Sequence, residues 1–182
     1  MPKALWRRMV APALVAGAAA LTLAATATAT AKTTTVPVSG AQTVVDEDAG
    51  TYKMSGSLIG DWQFTSFNEI ATSPIYRAKG TELFSGCLDV RRDGSCKGDP
   101  SGTLRFKFKY WAQFGEGDAL VWGSCLHPIT GGTGAFAGAT GVLSMVDTPT
   151  PQGVTTAYIG HVTLRGAVKS RAHASYAAAR AC

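Results

Sequence analysis

The sequence predicts an all-β domain of antiparallel strands, and three observations carry that prediction. The first is the run from Leu104 to Phe114, where Leu104, Phe106, Phe108, Tyr110, Ala112 and Phe114 alternate with Arg105, Lys107, Lys109, Trp111 and Gln113. A repeat of two belongs to a strand with one apolar and one wet face, and no helix could hold it on one side. The second is a succession of such runs, roughly seven or eight in about 130 residues, separated by clusters rich in Gly, Pro, Asp and Ser. The third is the lack of helical spacers of the length that parallel βαβ crossovers need. A sandwich and a closed barrel satisfy all three equally well.

At 182 residues, 46% of them hydrophobic, the chain has the size of one domain with a real core. Residues 1–31 read as a signal peptide. Lys3, Arg7 and Arg8 form a positive start, Val10 to Leu23 is apolar, and the small residues Ala29 and Ala31 fit a cleavage rule, with the cut placed after Ala31 and Ala29 as the other option. The apolar run is shorter than the roughly 20 residues of a spanning helix, so no membrane span is expected after cleavage. The paired arginines leave general secretion and twin-arginine export both open. Of 17 basic residues three belong to this leader, which leaves 14 against 12 acidic ones, a net charge of about +2. No nucleic-acid partner is expected from that balance; the basic row Arg105, Lys107 and Lys109 reads as a solvated sheet face.

Taken in order, residues 32–50 read as a flexible, threonine-rich lead-in, with a short strand at Gln42 to Val45 and an acidic turn at Asp46, Glu47 and Asp48. Thr51 to Ser57 is a weak strand. Gly60 to Ile70 is a better one, with Trp62, Phe64 and Ser66 on one face and Gln63, Thr65 and Phe67 on the other. Ile75 to Leu88 follows, then a polar loop from Asp89 to Ser101, the alternating run, and a strand from Ala119 to Leu126 that stops at His127-Pro128. Val142 to Asp147 is stopped by Thr148-Pro-Thr-Pro151, and Val154 to Val168 closes the domain, so the β domain spans 51–168. The alanine-rich tail, 169–182, is helix-capable but short for an isolated helix.

All four cysteines follow the leader, which in an oxidising compartment implies two disulfides. Cys87 with Cys96 would close the turn-like loop between them, leaving Cys125 with Cys182. A zinc site is not expected, since no Cys-x2-Cys or His-x3-His pair exists and His127, His161 and His173 are scattered. No metal and no cofactor are assigned.

Between two of the strands lies Ile129-Thr-Gly-Gly-Thr-Gly-Ala-Phe-Ala-Gly-Ala-Thr-Gly-Val142. Gly131, Gly132 and Gly134 permit a tight turn, Phe136 can fold inward as a plug, and Gly138 and Gly141 let the chain bend back into a strand. A phosphate-cradling loop would need a following helix and a Lys-Ser/Thr pair, and neither is present. The run resembles the glycine motif of allene oxide cyclases and is similar to that of plant dirigent proteins, with Tyr158-Ile-Gly160 resembling their last strand. This resemblance to the allene oxide cyclase barrel-like, dirigent-like (calycin-type) families covers about a third of the chain after the leader, and the rest follows by strand order. It implies an eight-stranded antiparallel β-barrel with a cavity entered from one end, often trimeric, here in an exported, secreted protein.

The resemblance does not carry the chemistry across. Dirigent arginines fall at Ala137 and Thr140 here, and the cyclases' polar groups match neither Asn68, Glu69 nor Glu82. Two functions are expected from different classes. In one, the barrel binds a small apolar or aromatic molecule against Trp62, Phe64, Phe106, Phe108 and Tyr110, residues that serve equally as plain core. In the other, a cyclase or isomerase holds a reactive hydrophobic substrate while Glu82, sharing a face with Phe84, moves a proton. Glu82 on a solvated face, and His127 as an ordinary hydrogen-bonded histidine, are the bland alternatives.

Overall fold

The computed structural model describes residues 32–166. Eight strands, β1 (Thr33–Asp46), β2 (Thr51–Gly56), β3 (Leu58–Ala71), β4 (Tyr76–Leu88), β5 (Ser101–Phe114), β6 (Leu120–Gly132), β7 (Thr140–Thr150) and β8 (Gly153–Arg165), pair antiparallel in chain order. β1 also pairs with β8, from Thr33 opposite Arg165 to Gln42 opposite Thr156, so the sheet closes into a barrel. Closure leaves no free edge. Period counting left a sandwich open; the β1–β8 ladder excludes it.

Three expected boundaries change. The lead-in 32–50 is a barrel strand over most of its length, and its β-branched residues Thr33, Thr34, Thr35, Val36 and Val38 suit a pleated surface. β6 does not stop at His127-Pro128. Its ladder to β5 carries no paired residues between Ile129 and Leu126, where Pro128 has no N–H to donate, while Pro128 still aligns with Val142 of β7. β7 likewise runs through Pro149, which lies beyond the last β6–β7 pair, Gly123 with Asp147. The leader, the tail 169–182 and the last residues assigned to the final strand lie outside the described residues.

The two ends of the barrel differ. At the end where β2, β4, β6 and β8 finish, Leu58, Leu88, Leu104, Leu164 and Phe136 are fully buried, and Val90 packs against them. Phe136 stands in a short turn, Gly134–Phe136, and its ring lies 6.4 Å from that of Phe84. The glycine motif is therefore the corner that plugs this end. Gly134 and Gly138 adopt φ of 60° and 70°, and a β-carbon at Gly132 would lie 2.7 Å from the Phe136 carbonyl. Burying the phenyl ring contributes roughly 2 kcal/mol.

A hydroxyl ties the same end across the barrel. Tyr158 on β8 accepts the Leu58 N–H at 2.8 Å and donates to the Ser55 carbonyl at 3.0 Å, joining β8 to the β2–β3 turn. Outside the barrel, Cys87 and Cys96 form a disulfide that anchors the loop after β4. Within that loop Asp89 accepts the N–H groups of Asp93 and Gly94, and the Arg91 guanidinium contacts both Asp93 and Asp99. Tyr158→Phe removes both hydrogen bonds at once and leaves the Leu58 N–H buried; we expect a loss of about 1–3 kcal/mol, read as a lower urea midpoint at unchanged slope.

Candidate functional site

At the opposite end, where β1, β3, β5 and β7 finish, several inward-facing side chains are half-buried or exposed, around the buried Ala78, Phe108 and Ala112. Tyr52, Phe64, Tyr76, Tyr110, Cys125 and Asp147 are of this kind, and Phe67 and Phe114 are 49% and 42% exposed. Phe67 arrives here through a bulge. Phe64 pairs with Glu82 and Ser66 with Thr81, so the extra residue Thr65 shifts the alternation and turns Phe67 to the inner side. Its ring stands 5.6 Å from Phe64 and 5.9 Å from Phe108. The expectation that Phe67 opposes Phe64, and that Ser66 shares its face, is thus corrected. Thr65 and Ser66 instead both meet the Thr81 hydroxyl, at 2.7 and 2.8 Å, on the outside.

Glu82 faces inward at mid-height, level with Phe64 on β3 and Phe106 on β5, and is buried. The carboxylate Oε2 lies 3.1 Å from Nε2 of His127, itself 2% exposed. The approach is close but misaligned: Oε2 has no hydrogen-bond partner, and neither have His127 Nδ1 and the indole Nε1 of Trp62. Three rings surround the imidazole, with centroids at 5.6 Å for Trp62, 6.4 Å for Phe106 and 6.2 Å for Phe108. Glu82 on a solvated face is therefore excluded, and His127 is more than a strand-end histidine.

The five aromatic candidates all face inward but divide into two groups. Trp62 and Phe106 are fully buried and stack at 4.4 Å, forming a floor with Phe84. Phe64, Phe108 and Tyr110 stand above that floor, Phe108 buried and the other two half-buried, with Phe64 and Phe108 5.3 Å apart. Tyr52 meets Phe64 edge-on at 5.7 Å, and Tyr76 meets Tyr110 at 6.0 Å.

A second polar group sits higher. Asp147 accepts the Thr156 hydroxyl at 2.6 Å. The Tyr110 hydroxyl and the other Asp147 oxygen lie 2.6 and 2.8 Å from where a β-carbon of Gly123 would stand, so glycine at 123 leaves room for the pair to meet. Burial pushes the Tyr110 phenol up, and the charge of Asp147 and a hydrogen bond to it add to the effect. Cys125, without a disulfide partner among the described residues, faces this region, its thiol raised first by burial and then by the charges of Glu82 and Asp147. Its expected partner, Cys182, lies outside the described residues.

His127, Asp147, Tyr52 and Tyr76 are absent from the sequence-derived site. The signal for His127 was present in the alternation Gly123, Cys125, His127, Ile129, hidden by taking Pro128 as a stop. Among the described residues, Asp89, Asp93 and Asp99 bring one carboxylate oxygen each within 4.8 Å, at the closed end and with Arg91 against them.

Burial, followed by the charges of Glu82, Glu47 and Asp147, raises Tyr52 from 10.0 to about 12. Burial also raises Tyr158 to about 12, against backbone hydrogen bonds that lower it. A phenol with a raised folded pKa keeps its proton longer when folded, so its stabilising effect is complete below pH 10 and is lost as pH rises through about 12. Phenolate absorbance should show a late-titrating class in the folded protein that vanishes in denaturant, with the unfolding free energy falling across that window. No family model, curated protein or solved structure matches the chain.

Proposed function

We propose that this chain is an exported barrel protein that binds a small apolar or aromatic molecule in the accessible half of its interior. The observation that carries this is the set of buried polar atoms without partners, Trp62 Nε1, His127 Nδ1 and Glu82 Oε2, at the base of an aromatic-walled, accessible end. Buried polar groups are almost always paired. A ligand with an apolar body and one polar group would satisfy them, which is the usual division of labour in small-molecule sites. The glycine motif, which forms a plugging corner, supports kinship with the allene oxide cyclase-like and dirigent-like barrels as part of the same proposal. The Cys87–Cys96 disulfide supports secretion. Trp122, Leu126 and Val146, exposed on neighbouring outer positions of β6 and β7, support self-association, with a trimer as the form the resemblance implies.

A second reading, a cyclase or isomerase, is favoured by one feature, the closeness of a carboxylate and an imidazole in a water-poor interior. Such a pair can pass a proton to and from a bound substrate.

A thermal-shift screen of neutral phenolic, terpenoid and lipid-like compounds tests the binding reading. We expect hits that raise the melting temperature and that Phe108→Ala weakens about tenfold or more, as loss of a ring wall should. If no compound shifts the melt and native mass spectrometry of protein from its host finds no bound molecule, the reading fails. Glu82→Gln separates the two readings by turnover: a binder converts no compound before or after the substitution, whereas an isomerase loses about a hundredfold or more in turnover.

A further inference from the structure

Charge is distributed very unevenly between the inside and the outside of this barrel. Three titratable side chains with a charged form at neutral pH face the interior above the floor: Glu82, His127 and, higher up, Asp147. Towards the rim Glu69 aligns with the inward Ala78, and Glu47 is close enough to act on Tyr52. No Lys or Arg among the described residues faces inward. Arg77, Lys79, Arg105, Lys107 and Lys109 occupy the outward positions of β4 and β5, Lys79 directly opposite Lys109. Lys53 pairs with Asp61 on the outside, and Arg91, Arg92, Lys97 and Arg165 sit at the closed end. The surrounding tyrosines and the Cys125 thiol are each raised first by burial and then by neighbouring carboxylates, with no cation acting the other way.

Those carboxylates are set in aromatic walls. Phe64, Phe108, Tyr52, Tyr110 and Tyr76 offer ring faces and edges between the level of Glu82 and the level of Asp147. A ring face attracts a cation through its quadrupole, and a desolvated carboxylate attracts it through its charge. An anionic head group placed at the same depth would face Glu82 and Asp147 with no Lys or Arg to answer it.

We infer that the ligand of this barrel is an organic cation, an ammonium on an aromatic or alkyl body, whose head lies between the ring faces of Phe64, Phe108 and Tyr110 and the carboxylates of Glu82 and Asp147. This deepens the ligand-binding reading and rests on it. The apolar body occupies the aromatic-walled space, and the charged head supplies the fixed cation that no inward Lys or Arg provides. The Asp147 carboxylate is held for this by the Thr156 hydroxyl, and the bare α-carbon of Gly123 gives the Tyr110 hydroxyl its place beside it.

Calorimetric titration of the purified protein with three probes tests this: phenylpropyltrimethylammonium, its neutral tert-butyl isostere, and phenylbutyrate. The ammonium should bind about tenfold or more tighter than the isostere, with the carboxylate weakest. Asp147→Asn and Glu82→Gln should each bring the ratio of ammonium to isostere toward one, near-UV circular dichroism confirming that the variants fold. Equal or tighter binding of the neutral isostere overturns the inference and leaves the binding reading standing. Binding of none of the three, in a protein that also takes no compound from the neutral screen, overturns both. A ratio that survives both substitutions overturns the placement of the charged head.

Discussion

Everything in this molecule depends on the ladder between its first and last strands. Ten consecutive residue pairs join β1 to β8, and they convert a meander with two open edges into a closed surface with an inside. Hydrogen bonding is thereby satisfied all round, and each strand's alternation becomes a choice between interior and solvent. The long sequence separation of these partners makes the contact costly in chain entropy, and the Tyr158 hydroxyl reinforces it by tying β8 to the turn between β2 and β3.

Closure alone would produce a filled cylinder. Two local devices make the ends unlike. At one end the glycine-rich corner lets the chain fold Phe136 under the barrel, where it completes a core with Leu58, Leu88, Leu104 and Leu164. At the other, a bulge at Thr65 redirects Phe67 inward, and the register shift between Gln113 and Phe114 alters the pairing of the rim of β5 and β6. The result is a solid floor of Trp62, Phe84 and Phe106 beneath an aromatic-walled upper half.

Into that upper half the chain places groups that a simple core would avoid. A buried carboxylate beside an imidazole is weak evidence for stability, because desolvation offsets most of the attraction between the partners. Glu82 and His127 are not even aligned for a good hydrogen bond. Apolar residues of similar size would pack between Phe64, Phe106 and Phe108 at lower cost, so the pair is better understood through what it can hold or move than through what it stabilises. The modest net charge hides a separation, with carboxylates inside and the lysine and arginine row of β4 and β5 outside.

How much of this was legible from the chain follows from the range of the interactions concerned. Strand identity is a local property, so the alternation in β5, the turn residues and the glycine corner with Phe136 were readable, as was the nearby Cys87–Cys96 bridge. The inward facing of Trp62, Phe64, Phe106, Phe108 and Tyr110 followed from period two, while for Glu82 the same rule left an inward and a solvated face both open. Phe67 was not, because one bulged residue reverses the count, and His127 was not, because Pro128 ends a strand only where its missing N–H is needed. By itself the sequence determined the strands, most of their faces and the corner. The tertiary structure decided that β1 belongs to the barrel, which end leaves its inward side chains partly exposed, and that Glu82 meets His127, since each is set by residues far apart in the chain brought together only when the sheet closes.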